Sequence, residues 1–180
     1  PDDGSVYEYF KGKASDEDPD AEYVLGRLTE LAVGTDFDPA GAYALYAKAA
    51  AAGHTEAARR EALCVLNGTG TARDRPKGVE MLKALVDAGY APAAVSLGDC
   101  YEYGTGVERD HTAAFELYRS LAESGSPLGM YNLGRCYMDG IGTQKDSNSA
   151  YAWYCAAVGR GCRDGIYGIA RCYLGGIGVD

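Results

Sequence analysis

Four glycines at a constant interval, Gly53, Gly89, Gly125 and Gly161, constrain this chain more than any other feature. The thirty-six-residue spacing carries further columns in the same register, with no insertion or deletion. A G-x-G element ends at Gly70, Gly106, Gly142 and Gly178, with Gly34 one unit earlier. Its first glycine stands at Gly68, Gly104, Gly140 and Gly176 and gives way only to Ala32, and an aspartate recurs as Asp38, Asp74, Asp110 and Asp146. Equal units of this length are too small to bury a core alone, so they must stack on their neighbours. A stacked array offers a long surface to other molecules and builds no deep catalytic centre of its own.

Each unit contains two helical patterns. The first is predicted over 21–33, 56–67, 92–103, 128–139 and 164–174, where Leu97 and Tyr101, then Leu133 and Tyr137, stand one turn apart on one face. A small residue follows the leucine column each time: Gly26, Ala62, Gly98, Gly134 and Ala170. Glycine inside a helix costs about 1 kcal/mol relative to alanine, so close approach of a neighbouring helix is expected there. The second pattern is predicted over 39–52, 75–88, 111–124 and 147–160, with the recurrent aspartates as N-caps and Pro39 and Pro76 in the first turn. Ala42, Gly78, Ala114 and Ala150 precede Tyr46, Leu82, Tyr118 and Tyr154 by one turn, a small-then-large packing rule.

These columns predict an all-α right-handed α/α superhelix, a solenoid of stacked antiparallel helix pairs. We read 1–180 as one repeat domain: repeats 18–53, 54–89, 90–125 and 126–161, a half repeat at 162–180, and 1–17 as a degenerate helix of a preceding repeat. In the last reading Val6 and Phe10 fall on the columns of Ala42 and Tyr46, and 15–20 form an acidic turn. Incomplete units at both ends are what a segment of a longer array would show.

Composition narrows the partner. Seventeen basic side chains face twenty-six acidic ones, a formal net charge of -9, and no Lys/Arg cluster occurs. Nucleic-acid binders gather positive charge on one face, so no nucleic-acid partner is expected; a basic or neutral polypeptide fits better. No apolar run reaches the roughly 18–20 residues that cross a bilayer, so no membrane insertion is expected.

With its L-G-x-x-Y, G-x-G-V and A-x-x-x-Y columns the chain resembles the Sel-one-like repeat (SLR) family, a branch of the tetratricopeptide-like α-solenoids. The motif is carried by Leu97-Gly98, Tyr101, Gly104, Gly106-Val107, Asp110, Ala114, Tyr118, Ala122 and Gly125, and again from Leu133 to Gly161. The likeness covers 18–180. Glu61 and Val65 depart from it in the second repeat, and Thr29 and Ala32 in the first. The resemblance implies a non-enzymatic scaffold or adaptor that binds a protein or extended peptide in a concave groove lined by first helices. On that reading the candidate contacts are Arg27, Arg60, Ser96, Asp99, Tyr103, Asn132, Arg135, Asp139 and Arg171, all expected on the exposed side of their helices.

Six cysteines fall into two groups. Cys64, Cys100, Cys136 and Cys172 share one column, and equivalent positions in stacked hairpins lie beyond the roughly 7 Å over which Cα atoms can be bridged; they are read as packed thiols. Cys155 and Cys162 occupy columns that look like surface positions, flanking one helix-ending turn, and could close a disulfide. A cysteine-rich bacterial branch of the family has a similar, loosely matching arrangement. It supports the alternative of a periplasmic or secreted protein that binds cell-envelope components; the sequence leaves the compartment open, a cytoplasmic one being favoured without the bridge. No metal or cofactor is expected, since no C-x-x-C occurs and neither His54 nor His111 has a carboxylate partner in the local sequence. Gly104-Thr105-Gly106 lacks the strand and the Lys-Ser/Thr of a phosphate loop. Tyrosines on the repeat columns, Tyr46, Tyr101, Tyr118, Tyr137, Tyr154 and Tyr173, are expected in the core with hydroxyls on backbone partners. Tyr43, Tyr90, Tyr103, Tyr151 and Trp153 are expected as exposed anchors.

Overall fold

The structure, a computed structural model, describes residues 3–15 and 17–176. The expectation that rests on Gly178 lies outside the described residues. Ten α-helices and no strand occur among them. They fall into two compact units, Pro1–Tyr90 and Ala91–Asp180.

The first unit holds α1 (Asp3–Ala14), α2 (Pro19–Glu30), α3 (Pro39–Ala51), α4 (Thr55–Asn67) and α5 (Arg75–Asp87), each packed on the next from α1 to α5. The second holds α6 (Ala91–Tyr103), α7 (His111–Glu123), α8 (Pro127–Asp139), α9 (Ser147–Gly159) and α10 (Asp164–Leu174), again packed in sequence, with α8 also touching α10. The all-α solenoid class expected from the columns is the class observed.

Caps fix the helix starts. Asp38, Asp74, Asp110 and Asp146 accept bonds from Gly41, Lys77, Ala113 and Ser149 backbone N–H groups at 2.9, 3.1, 2.9 and 3.1 Å. The acidic turn expected over 15–20 is shorter than that, because Asp18 accepts from the Asp20 N–H at 3.0 Å and opens α2 at Pro19. At its other end α2 stops at Glu30, short of the expected 33; Ala32 takes a left-handed φ of 54° that no helix accommodates.

The tyrosine column is the packing centre. Tyr46, Tyr118 and Tyr154 are fully buried. A Cβ added at Gly98 would stand 2.5 Å from the Tyr118 ring, and one at Gly134 would stand 2.8 Å from the Tyr154 ring. At Gly26, Gly98 and Gly134 the small column therefore lets the first helix rest directly on an aromatic ring of its second helix, the close approach that the sequence required. The G-x-G turns dock in the same way: a Cβ at Gly142, where φ is +67°, would sit 2.1 Å from the His111 carbonyl oxygen at the start of α7.

Two expectations about tyrosine fail. Tyr173 is exposed, not core, and the buried hydroxyls bind carboxylates rather than backbone. Tyr46 donates to Glu30 at 2.7 Å, while the Tyr154 hydroxyl is buried without a hydrogen-bond partner. The difference lies sixteen residues earlier, where Glu30 and Glu102 precede Tyr46 and Tyr118 but Met138 precedes Tyr154.

Candidate functional site

The i, i+3 and i+4 spacing of Asp99, Glu102 and Tyr103 on α6, and the i, i+3 and i+7 spacing of Asn132, Arg135 and Asp139 on α8, place each set on one helix face. Adjacent first helices bring the two sets together. Arg135 donates from Nη2 to Glu102 Oε1 at 2.6 Å and to the Tyr103 hydroxyl at 3.1 Å, and from Nη1 to Asn132 Oδ1 at 3.0 Å. Behind them the Tyr118 hydroxyl donates to Asp99 at 2.7 Å and Glu102 at 3.2 Å. One repeat further on, Arg171 reaches back to Asp139 with both terminal nitrogens, at 2.8 and 3.4 Å, the fork geometry that suits guanidinium and carboxylate. Each arginine thus binds an acid on the first helix before it.

The electrostatics follow from depth. Glu102 is 5 % exposed. Burial works against the Arg135 cation, but Glu102 and Tyr103 outweigh it and hold the guanidinium charged. Burial also raises the Asp99 carboxyl above its ordinary value of 3.8, opposed by the Tyr118 hydrogen bond and reinforced by the Glu102 charge. A raised carboxyl binds its proton better folded than unfolded, so Asp99 costs stability above its folded value and the cost is relieved as pH falls toward 3.8. Asp99→Asn, which keeps an acceptor for Tyr118, should therefore raise the melting temperature at neutral pH. That gain should vanish below about pH 4 in a series of thermal melts.

The first unit has its own version. Arg59 binds Glu56 at 2.6 and 2.8 Å, and the Tyr90 hydroxyl donates to the same carboxylate at 2.7 Å. Arg60 lies 3.4 Å from Glu56 and 3.8 Å from Glu30, and Arg27 lies 3.6 Å from Glu30. Beside Arg60 and Glu30 opens a pocket of about 140 Å³, also lined by Leu63, Cys64, Asn67 and Thr69. It is well below the roughly 300 Å³ at which small-molecule sites begin.

Several predicted site residues stand elsewhere than expected. Asn132 is buried at 6 %, because it turns inward to Arg135. Arg27, Arg60, Ser96, Asp99, Arg135 and Arg171 are half-buried, whereas Asp139 is exposed and Tyr103 is 64 % exposed. Of the expected aromatic anchors only Tyr103 is freely presented. Tyr43 packs beside the Tyr46 cluster, Tyr90 is bound to Glu56, Tyr151 meets Tyr173 at 3.0 Å, and Trp153 packs against the core around Leu133. His54 does have a carboxylate neighbour: it caps α4 through Nδ1 on the Ala57 N–H at 2.9 Å, and its Nε2 lies 3.4 Å from Asp20. That contact spans α2 to α4 and has no local signal.

Cys155 and Cys162 are free thiols here, and Cys162 is buried rather than at the surface. Burial pushes the Cys64 and Cys100 thiols up to about 11 and Cys136 up to about 12. Cys155, half-exposed, is therefore expected to be the one cysteine alkylated by maleimide in the native chain, the other five reacting after unfolding. A Cys155–Cys162 bridge would instead leave no reactive native thiol and four on unfolding without reductant. Among the described residues no group of three or more His, Cys, Asp or Glu side chains could hold a metal ion, and no helix is long and apolar enough to cross a membrane.

Comparison with known proteins places this geometry in context. A family model described as the Sel1 repeat matches residues 19–54, 55–90, 91–126, 127–162 and 163–180. A Sel1 repeat protein from Oxalobacter formigenes superposes with a TM-score of 0.85 at 23 % identity, over 99 % of this chain and 72 % of that one. The protective antigen c5321 of uropathogenic Escherichia coli, which displays an SLR fold, gives 0.74 at 24 %, over 93 % of this chain; the present chain spans 36 % of its length. The immunity protein Pa5087 of Pseudomonas aeruginosa gives 0.66 at 19 %, over 90 % of this chain and 60 % of its own. No curated protein sequence matches significantly.

Proposed function

Because the chain belongs to the Sel1 repeat family, whose repeats generally mediate protein–protein interaction, we propose that it is a non-enzymatic adaptor that binds a polypeptide on the first-helix face of its second unit. The observation that carries this reading is Tyr103. Its ring is 64 % exposed, yet its hydroxyl is held by Arg135, which is itself anchored on buried Glu102. An exposed aromatic fixed in advance by a buried ion pair contributes contact area with little ordering cost, the chemistry of an interface hot spot.

Beside it lie Asp139 and Arg171, paired with each other but open to solvent on one side. The net charge of -9 favours a basic or neutral peptide over an acidic one. Such a peptide would lie extended along α6, α8 and α10, exchanging some of its charges with the Asp139–Arg171 pair.

The test uses variants that spare the buried network. Arg135 is a poor choice, since truncating it exposes Glu102 to an unbalanced burial. Tyr103→Ala and Arg171→Ala change side chains that already meet water, and each is expected to weaken capture of the native partner about fivefold or more. Unchanged affinity in both would move the site off this face.

A further inference from the structure

The pocket beside Glu30 and Arg60 presents one carboxylate and one guanidinium that the fold leaves short of partners, and we propose that it receives a primary carboxamide, the end of a glutamine side chain on a bound polypeptide. The repeat register shows how the pocket arises. Two repeats later the columns of Glu30 and Leu63 hold Glu102 and Arg135, and Arg135 closes on Glu102 at 2.6 Å. With Leu63 in the place of that arginine, Glu30 lacks the donor. Its Oε2 accepts from the Tyr46 hydroxyl at 2.7 Å and lies 3.6 Å from Arg27, while among the described residues its Oε1 has no hydrogen-bond partner.

Arg60 has the opposite need. Arg59, Arg135 and Arg171 each hold a carboxylate at 2.6 to 2.8 Å. Arg60 does not: its Nη1 stands 3.8 Å from Glu30, and its buried Nε, 3.4 Å from Glu56, makes no hydrogen bond. The pocket therefore calls for an acceptor at Arg60 and a donor at Glu30. Asn67 and Thr69, exposed in the same lining, carry groups that both donate and accept.

Charge selects the group. Glu30 and Arg60 are the charged residues of the lining and they balance; the Cys64 thiol, pushed up to about 11 chiefly by burial, adds no charge. A carboxylate would meet Glu30 and an ammonium would meet Arg60, each giving up water for a site with no net charge to offer. A primary amide is neutral and sets one acceptor beside two donors, so it answers Arg60 and Glu30 together. Leu63, half-buried, gives the methylenes behind the amide an apolar wall. Size selects the occupant: about 140 Å³ holds several waters at roughly 30 Å³ each, the room of one side chain reaching in from a backbone outside. Glu30 is already fixed by Tyr46, which lowers the ordering cost of binding.

Titration of the isotope-labelled full chain, read by NMR at the Arg60 Nε–H and Asn67 side-chain amide signals, tests this. The probes are glycine peptides, acetylated and methylamide-capped, with glutamine, glutamate, methionine or lysine at the centre, so that all share the same backbone amides. The glutamine peptide is expected to shift both signals saturably, with a dissociation constant on the order of millimolar. The other three should bind at least about tenfold more weakly, each leaving a pocket group unpaired. Leu63→Arg, which rebuilds at Glu30 the closure that Arg135 makes at Glu102, should abolish the shift of the Asn67 signal while the melting temperature holds or rises. Glu30→Gln keeps an acceptor for Tyr46 and removes the balancing charge, so it should turn the preference from the glutamine to the glutamate peptide. A wild-type chain that binds the glutamate or lysine peptide as tightly as the glutamine one overturns the proposal, as does the absence of any saturable shift. Binding that survives Leu63→Arg overturns the placement, and tighter binding of free L-glutamine than of the peptide overturns the polypeptide source.

Discussion

Tyr118→Ala is expected to destabilise the second unit by about 3–5 kcal/mol, the cost of emptying a fully buried aromatic site. The ring fills the space that Gly98 leaves on α6, and its hydroxyl is the shared donor to Asp99 and Glu102. Tyr118→Phe isolates the second contribution. Removing the donor from two carboxylates, one of them buried, is expected to cost about 1–3 kcal/mol. Tyr154 provides the internal control, being equally buried with a hydroxyl that binds nothing. Tyr154→Phe should therefore be neutral or stabilising. Denaturant melts of the three variants check the ordering, and equal losses for the two Phe variants would refute the role given to the acid pair.

The second large effect belongs to Arg135→Ala. Glu102 lies in the core with the guanidinium 2.6 Å away, so deleting the cation strands a buried charge, a loss of about 3–5 kcal/mol. Adding Glu102→Met should recover most of it, because methionine already fills this column at Met138. Tyr118 would keep Asp99 as its acceptor. Failure of the double variant to recover would mean that Arg135 matters through its contacts with Tyr103 and Asn132 instead.

Local order was open to the sequence because it recurs. The aspartate caps, the glycine turns and the glycine–tyrosine contact each appear several times in one register, and each occupies a few consecutive residues. The polar site was not open in the same way. Arg135 reaches Glu102 across a separation of 33 residues, Arg171 reaches Asp139 across 32, and Tyr90 reaches Glu56 across 34. None equals the repeat length, since each pair is offset by two to four residues from the repeat register. A column comparison looks only at identical offsets and passes over them. Glu102 and Glu30 carried a usable signal: they share a column, and a tyrosine follows each by sixteen residues. Asn132 misled because a helix-face argument treats neighbours on one helix as equally exposed, while Asn132 is buried with its side-chain oxygen bound by Arg135 one turn on.

The departures from the repeat pattern also acquire a physical meaning. Thr29 stands in a tyrosine column and is buried, its hydroxyl donating to the Leu25 carbonyl at 2.9 Å inside the helix, so a smaller side chain there is satisfied without a neighbour. Val65 and Leu66 in the second repeat are both buried, Leu66 against Gly78 on α5, so the column that carries Glu102 in the third repeat is apolar here, as is the tyrosine column at Leu82. Glu61 is half-buried, and its carboxyl is raised chiefly by burial, with Lys77 opposing.

The most direct test of the adaptor reading is photo-crosslinking in the native host, with a benzophenone side chain at position 103 on α6 or, as the comparison, at exposed position 116 on α7. Adducts with one defined polypeptide from position 103 and none from position 116 are the predicted result. The same adducts from position 116, with none from position 103, would contradict the assignment of the binding face to the first helices.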